Sequence, residues 1–193
     1  GLMDQMVISS GINKKAMFFD TKKEIIENVS LFKNHKFLII HSGSTRTLSK
    51  SLYNLRCQEC EDASKKLGIQ NLSEANNDMV DSLEGISFRR ASHVISENKR
   101  VEICLNALKN NDPETFGKKM FESHFSLSKN YEVSSELLDN IIKKSQSLDV
   151  LGGRLTGAGF GGCCIFLTNK NDTKIIFDNL SSYFPDLKFV DVI

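Results

Sequence analysis

The sequence has no excess of either charge: 25 Lys and Arg stand against 24 Asp and Glu in 193 residues. Nucleic-acid and membrane-surface proteins need a large surplus of one sign, so neither a nucleic-acid partner nor a membrane is expected. No apolar run approaches the roughly 20 residues of a membrane span. Proline occurs only twice and no segment is of low complexity, which leaves little room for disorder. No basic stretch followed by an apolar run and a cleavage site opens the chain, so no secretory signal is expected. The five cysteines are an odd number, and Cys163 and Cys164 are adjacent, where strand alternation points them to opposite faces. That is not a disulfide framework, and it implies a reducing compartment, the cytoplasm. At 40% hydrophobic residues, the chain suits one domain with a core, or one domain plus part of another. It opens on Gly1-Leu2-Met3-Asp4-Gln5 without an initiating Met and reads as a fragment.

What is present reads as strands and helices kept apart along the chain. Ala16 to Asp20 and Lys36 to His41 are apolar strand-like runs, the second followed by the polar loop His41-Ser42-Gly43-Ser44-Thr45. Leu48, Leu52, Leu55, Ala63 and Leu67 recur at helical spacing until Gly68. Asn71 to Leu83 predicts a shorter helix, and Phe88 to Leu108 a long one with Val94, Val101, Leu105 and Leu108 facing the core. Asp112-Pro113 starts another helix, with Asp at the cap and Pro at the first helical position. Ser134 to Leu148 carries an apolar stripe. Cys163 to Thr168 predicts a buried strand, Asp172 to about Tyr183 an amphipathic helix, and Lys188 to Val192 a last strand. The fold class is α+β, a mostly antiparallel sheet covered by helices. Residues 1–34 read as the tail of an upstream domain and 35–193 as one domain.

The chemistry-bearing candidates are few. Gly157, Gly159 and Gly162 match G-x-G-x-x-G, but a strand follows where a dinucleotide fold needs a helix, and no Gly-Lys-Ser/Thr follows for a Walker A loop. The run is then a link between two strands. It is either a tight bulged hairpin, or a backbone surface lying against an anionic ligand or a loop that holds one. Asp4 is either a helix cap or a buried carboxylate that needs a partner. Cys57 and Cys60 form a lone C-x-x-C without the four ligands of a zinc site, and no metal site is expected. Tyr53 alone reads as a packing residue, and His93 and His124 as hydrogen-bonded structural histidines. The basic residues, interspersed with acidic ones, read as solvated helix faces.

Five segments in order carry a resemblance. Gly1-Leu2-Met3-Asp4-Gln5 matches G-[ILV]-M-D-Q, and Ser51-Leu52-Tyr53-Asn54-Leu55-Arg56 matches S-x-Y-N-x-R. Arg90 to Val94 with Glu97 to Val101 matches R-x-x-H-[VI]-x-x-E-N-x-R-V. Ser123 to Leu127 with Tyr131 to Ser134 matches S-H-x-S-L-x-x-x-Y-E-V-S, and Arg154 to Cys163 matches R-[LM]-T-G-[AG]-G-F-G-G-C. On these motifs the sequence resembles the galactokinases of the GHMP small-molecule kinase superfamily, from just before the catalytic aspartate onward. The sugar-recognition segment and the Gly/Ser-rich ATP loop of that family are absent, and Leu52 stands where many members have Glu.

The resemblance implies a parent enzyme that transfers the γ-phosphate of ATP to the anomeric hydroxyl of galactose. It implies Asp4 as the base, Tyr53 as a sugar contact, and Gly157, Gly159, Gly161 and Gly162 as a loop on the phosphate side of the cleft. ATP and Mg2+ are the implied cofactors, with the magnesium ligands in the missing N-terminal part. The present portion alone is then expected to be inactive. A kinase for N-acetylgalactosamine, galacturonate or arabinose, or a non-catalytic sugar sensor, are the competing readings.

Overall fold

The computed structural model describes residues 2–44 and 49–193, with side chains from Gln5 onward apart from those of residues 49 and 50. Helix α1 (Leu2–Ser10) leads into the hairpin β1 (Lys15–Asp20) and β2 (Ile25–Ser30), which pair antiparallel from Lys15↔Ser30 to Asp20↔Ile25. Strand β3 (His35–His41) follows, then helices α2 (Ser49–Leu67), α3 (Asn77–Asp81), α4 (Gly85–Lys109), α5 (Pro113–Lys129) and α6 (Glu136–Ser145). The chain closes with β4 (Val150–Thr156), β5 (Cys163–Asn169), α7 (Thr173–Tyr183) and β6 (Lys188–Val192). The architecture is α+β, as the segregated pattern predicts.

The four later strands form one sheet in the order β4-β5-β3-β6, antiparallel throughout. Alternation along β3 and β5 splits its two faces. Leu38, Ile40, Cys164 and Phe166 join Leu138, Ile141, Ile176 and Leu180 in the main core under α6 and α7. Phe37 and Leu167 turn the other way, to Phe32 and Met120. Cys163 is half-buried and Cys164 buried, so the adjacent thiols do part across the strand. On β6 the pairing passes from Ile39↔Asp191 to Ile40↔Phe189, so Val190 is an extra, bulged residue on the outer strand. The opposite edge, β4, is covered by α5. There Gly117 lies so close that an added Cβ would come within 2.2 Å of the Leu151 carbonyl oxygen.

Local signals set the helix limits. The Asp112 carboxylate accepts from the Thr115 amide at 3.0 Å and Pro113 opens α5, as its sequence predicts. Gly68, at φ 68°, ends α2. The single helix expected over residues 71–83 is instead a 3-10 turn, Leu72–Glu74, and the short α3. Asn76 divides them: its extended backbone caps α3 and its side chain accepts from the Met79 amide at 2.9 Å. Along α4, Val101 is 48% exposed rather than in the core. It lines a groove of about 340 Å³ between the β1-β2 hairpin, α4 and α5, with Met17, Phe18, Leu105 and Phe116.

Candidate active site

The glycine-rich segment is the turn from β4 to β5. Its left-handed residues are Gly157 (φ 81°), Gly159 (81°), Phe160 (58°), Gly161 (117°) and Gly162 (85°). Two contacts show why side chains are missing here. A Cβ on Gly159 would stand 2.2 Å from the Val133 carbonyl oxygen, and one on Gly161 would stand 2.7 Å from the Ser44 hydroxyl. The turn is thus pressed between the segment after α5 and the segment after β3. Phe160 adopts a conformation that costs a non-glycine residue about 1–2 kcal/mol. It is held by its amide, which donates to the Val133 carbonyl at 2.7 Å, and by its ring against the main core. The Ser42 amide donates to the Gly162 carbonyl at 2.8 Å, and the Ser42 and Ser44 hydroxyls are 3.0 Å apart. Backbone in such turns is the usual material of anion-binding concavities.

Tyr53 projects from α2 and is half exposed, with the Cys57 thiol one turn further on. The charge and hydrogen bond of that neighbour hold the Tyr53 phenol above its ordinary range. Asp4 lies in α1, and its side chain is outside the described residues.

Further along α2, Glu59 is tied to the Val133 segment through Arg90. The guanidinium is 1% exposed. Its Nε donates to Glu59 on α2 at 2.6 Å, one terminal nitrogen to the Asn130 carbonyl at 2.5 Å, and the other to the Glu132 carboxylate at 2.6 Å. Arg56 donates to Glu59 at 2.8 Å and to the Glu132 carbonyl at 3.2 Å. Burial opposes the Arg90 charge, but the two carboxylates outweigh it and leave its pKa raised; Arg90 in turn draws Glu132 down. The expectation that basic residues lie on solvated faces therefore fails at Arg90; Arg154 stays about a third exposed, though its surroundings pull its pKa down. Arg154 Nη1 stands 3.5 Å from Glu97, which also accepts from Ser123 at 2.6 Å and pairs with Arg100.

Both helical histidines are buried and structural. His93 Nδ1 is 2.9 Å from the Ser126 hydroxyl, and its ring stacks on Tyr131. His124 Nδ1 accepts from the Leu155 amide at 3.3 Å, and its Nε2 lies 3.2 Å from Asp139. That agrees with the sequence reading of His93 and His124 as hydrogen-bonded structural residues. What the spacing did not show is that Arg56, Arg90 and Glu132, from three separate motifs, meet in one ion network. Among the described residues, no group of three or more His, Cys, Asp or Glu is placed to share a metal ion, and no helix is long and apolar enough to cross a membrane.

Residues 104–186 match the family described as GHMP kinases C terminal. The whole described fold superposes on Lactococcus lactis galactokinase complexed with galactose at a TM-score of 0.92. That match has 30% identity and covers 98% of this chain and 53% of that one. Residues 104–186 are therefore the C-terminal domain of a GHMP kinase. The chain is 36% identical to the galactokinase of Clostridium perfringens strain SM101, over 96% of this chain and 51% of that protein. It is 40% identical to the galactokinase of Thermotoga petrophila, over 88% and 49%. The chain thus spans about half the length of the curated relatives it matches. A GHMP fold is also shared with Leishmania major ("L. major") mevalonate kinase in complex with R-mevalonate, at a TM-score of 0.60 and 16% identity.

Proposed function

We propose that the protein containing this chain is an ATP-dependent galactokinase, giving galactose 1-phosphate. The observation that carries the reading is the superposition on a galactose-bound galactokinase over 98% of the chain. In this reading residues 1–34 close an N-terminal domain and 35–193 form the C-terminal domain. The separation of the β1-β2 hairpin from the four-stranded sheet supports that division.

The Asp4 carboxylate accepts the proton of the anomeric hydroxyl, because a sugar hydroxyl is a weak nucleophile near neutrality. The freed oxygen bonds to the γ-phosphorus as the bond to ADP breaks. Tyr53, half exposed on α2, hydrogen-bonds the sugar. The Gly157–Gly162 turn presents backbone rather than side chains to the phosphate side. The left-handed run clamped by Val133 and Ser44 fits such a role, since a side chain at Gly159 or Gly161 would displace the turn. ATP with magnesium supplies the phosphoryl group; the magnesium ligands belong to the part of the protein outside this chain. The enzyme works in the cytoplasm.

A coupled ADP-release assay on the full-length protein tests the reading. Turnover with galactose exceeding that with N-acetylgalactosamine, galacturonate or arabinose supports it. Preference for one of those sugars reassigns the substrate, and no sugar-dependent ADP release overturns the kinase reading.

A further inference from the structure

The hydrogen bonds of Arg90 go neither to the glycine turn nor to Tyr53, yet they join the segments that carry them. On one side it grips Glu59, two turns along α2 from Tyr53, and Arg56 on the same helix grips both Glu59 and Glu132. On the other side it grips the carbonyl of Asn130 and the carboxylate of Glu132. Glu132 is itself left-handed, at φ 55°. A non-glycine residue stays in that conformation only where its surroundings hold it. Here the holding groups are visible: Arg90 and Arg89 on its carboxylate, Arg56 on its carbonyl. The next residue, Val133, is the one whose carbonyl accepts the Phe160 amide and whose atoms fill the space beside Gly159.

We infer that Arg90 and Glu132 are positioning residues that set the glycine turn through Val133 and keep it in register with the Tyr53 helix. The inference deepens the galactokinase reading and, for its catalytic consequence, rests on it. The mechanical part does not. The ions join the Val133 amide, which donates to the Leu127 carbonyl at 3.0 Å, in holding the left-handed bend at Glu132; the bend aims the Val133 carbonyl, and that carbonyl fixes Phe160 and the turn. A guanidinium suits the task because its donors diverge in one plane and reach three segments at once, which an ammonium cannot do.

Glu132→Gln keeps the side chain's size and the backbone requirement while removing the charge. Glu132 is 41% exposed, so the variant should fold. Arg90→Lys is the second variant, keeping charge without the fork. Hydrogen exchange on the full-length protein reads the turn directly. The Phe160 amide should exchange at least tenfold faster in both variants, while the Ile165 amide in β5 keeps its protection. Unchanged exchange at Phe160 overturns the inference, as does an equal loss at Ile165, which marks general destabilisation. Steady-state kinetics read the catalytic part. A kcat at least tenfold lower in both variants, at a temperature where both are folded, supports positioning for turnover. Faster exchange with unchanged kcat and KM overturns it. A wild-type protein with no galactose-dependent turnover counts against the galactokinase reading alone, because the exchange measurement still decides the mechanical part.

Discussion

The imidazole of His93 lies against the phenol of Tyr131, ring centroids 4.4 Å apart and planes 18° from parallel. Both rings come from recurrent motif segments, α4 and the turn after α5, and both are withdrawn from water. Burial is the main reason the His93 pKa falls to about 4; Glu97 opposes that fall, while Arg100, Arg154 and Arg90 add to it. Tyr131 is pushed up, again chiefly by burial.

The burial of His93 makes stability depend on pH. The folded pKa of His93 lies below its unfolded value of about 6.5, so the unfolded chain binds the proton more readily. The contribution is complete above pH ~6.5 and is lost as pH falls towards 4. The span corresponds to roughly 3 kcal/mol at most. His124, lowered in the same direction by burial, adds to the slope. The thermal midpoint should drop between pH 7 and 4.5, and His93→Gln should flatten that dependence even where it lowers the midpoint. An equally steep profile in the variant would show that other groups control it.

Gly159 and Gly68 both have positive φ but differ in their surroundings. A Cβ at Gly68 meets nothing within 4 Å, whereas one at Gly159 meets the Val133 carbonyl at 2.2 Å. Gly68→Ala should therefore cost only about 1–2 kcal/mol of stability, with activity kept. Gly159→Ala must displace the turn or Val133, and should lower kcat at least tenfold in the full-length enzyme. Equal effects of the two substitutions, in paired melting and turnover assays, would contradict this.

The crossing of α5 over β4 requires two facing glycines. A Cβ on Gly152 would come within 2.4 Å of Gly117 Cα, and one on Gly117 within 2.2 Å of the Leu151 carbonyl oxygen. Backbone conformation is ordinary at both sites, so the constraint is steric. Gly117→Ala should destabilise by about 1–3 kcal/mol or somewhat more, as overpacking does. In urea the unfolding midpoint should fall with an unchanged m-value.

Asp4→Asn in the full-length enzyme removes the proposed proton acceptor while keeping shape. It should lower kcat by about 10²–10⁴-fold with galactose binding little changed. Isothermal titration beside turnover separates the two effects, and unaltered turnover would remove Asp4 from the role of base.

Helix limits were legible wherever a single residue sets them, as Asp112-Pro113 and Gly68 do. The strand β5 was legible from its apolar run. Strand β2 was not, because Ile25–Ser30 is half-buried and pairs only with β1, leaving Glu27 and Asn28 in its middle. Gly152 and Gly153 disguise β4 as loop. They are small because Gly117 presses on one face and the Phe166 and Phe121 rings crowd the other. At the candidate site the glycine turn was legible as backbone meant for close approach. Arg90 was not: a cation on a helix reads as solvated unless its acidic partners, 31 and 42 residues away, are known to face it.

The bulge at Val190 has a consequence for how molecules meet one another. An incoming strand needs a regular row of amides and carbonyls on the free side of β6, and the extra residue puts that row out of step. With the far side of the sheet roofed by α5, neither flank offers a template, so concentrated solutions should not grow continuous ribbons through this sheet.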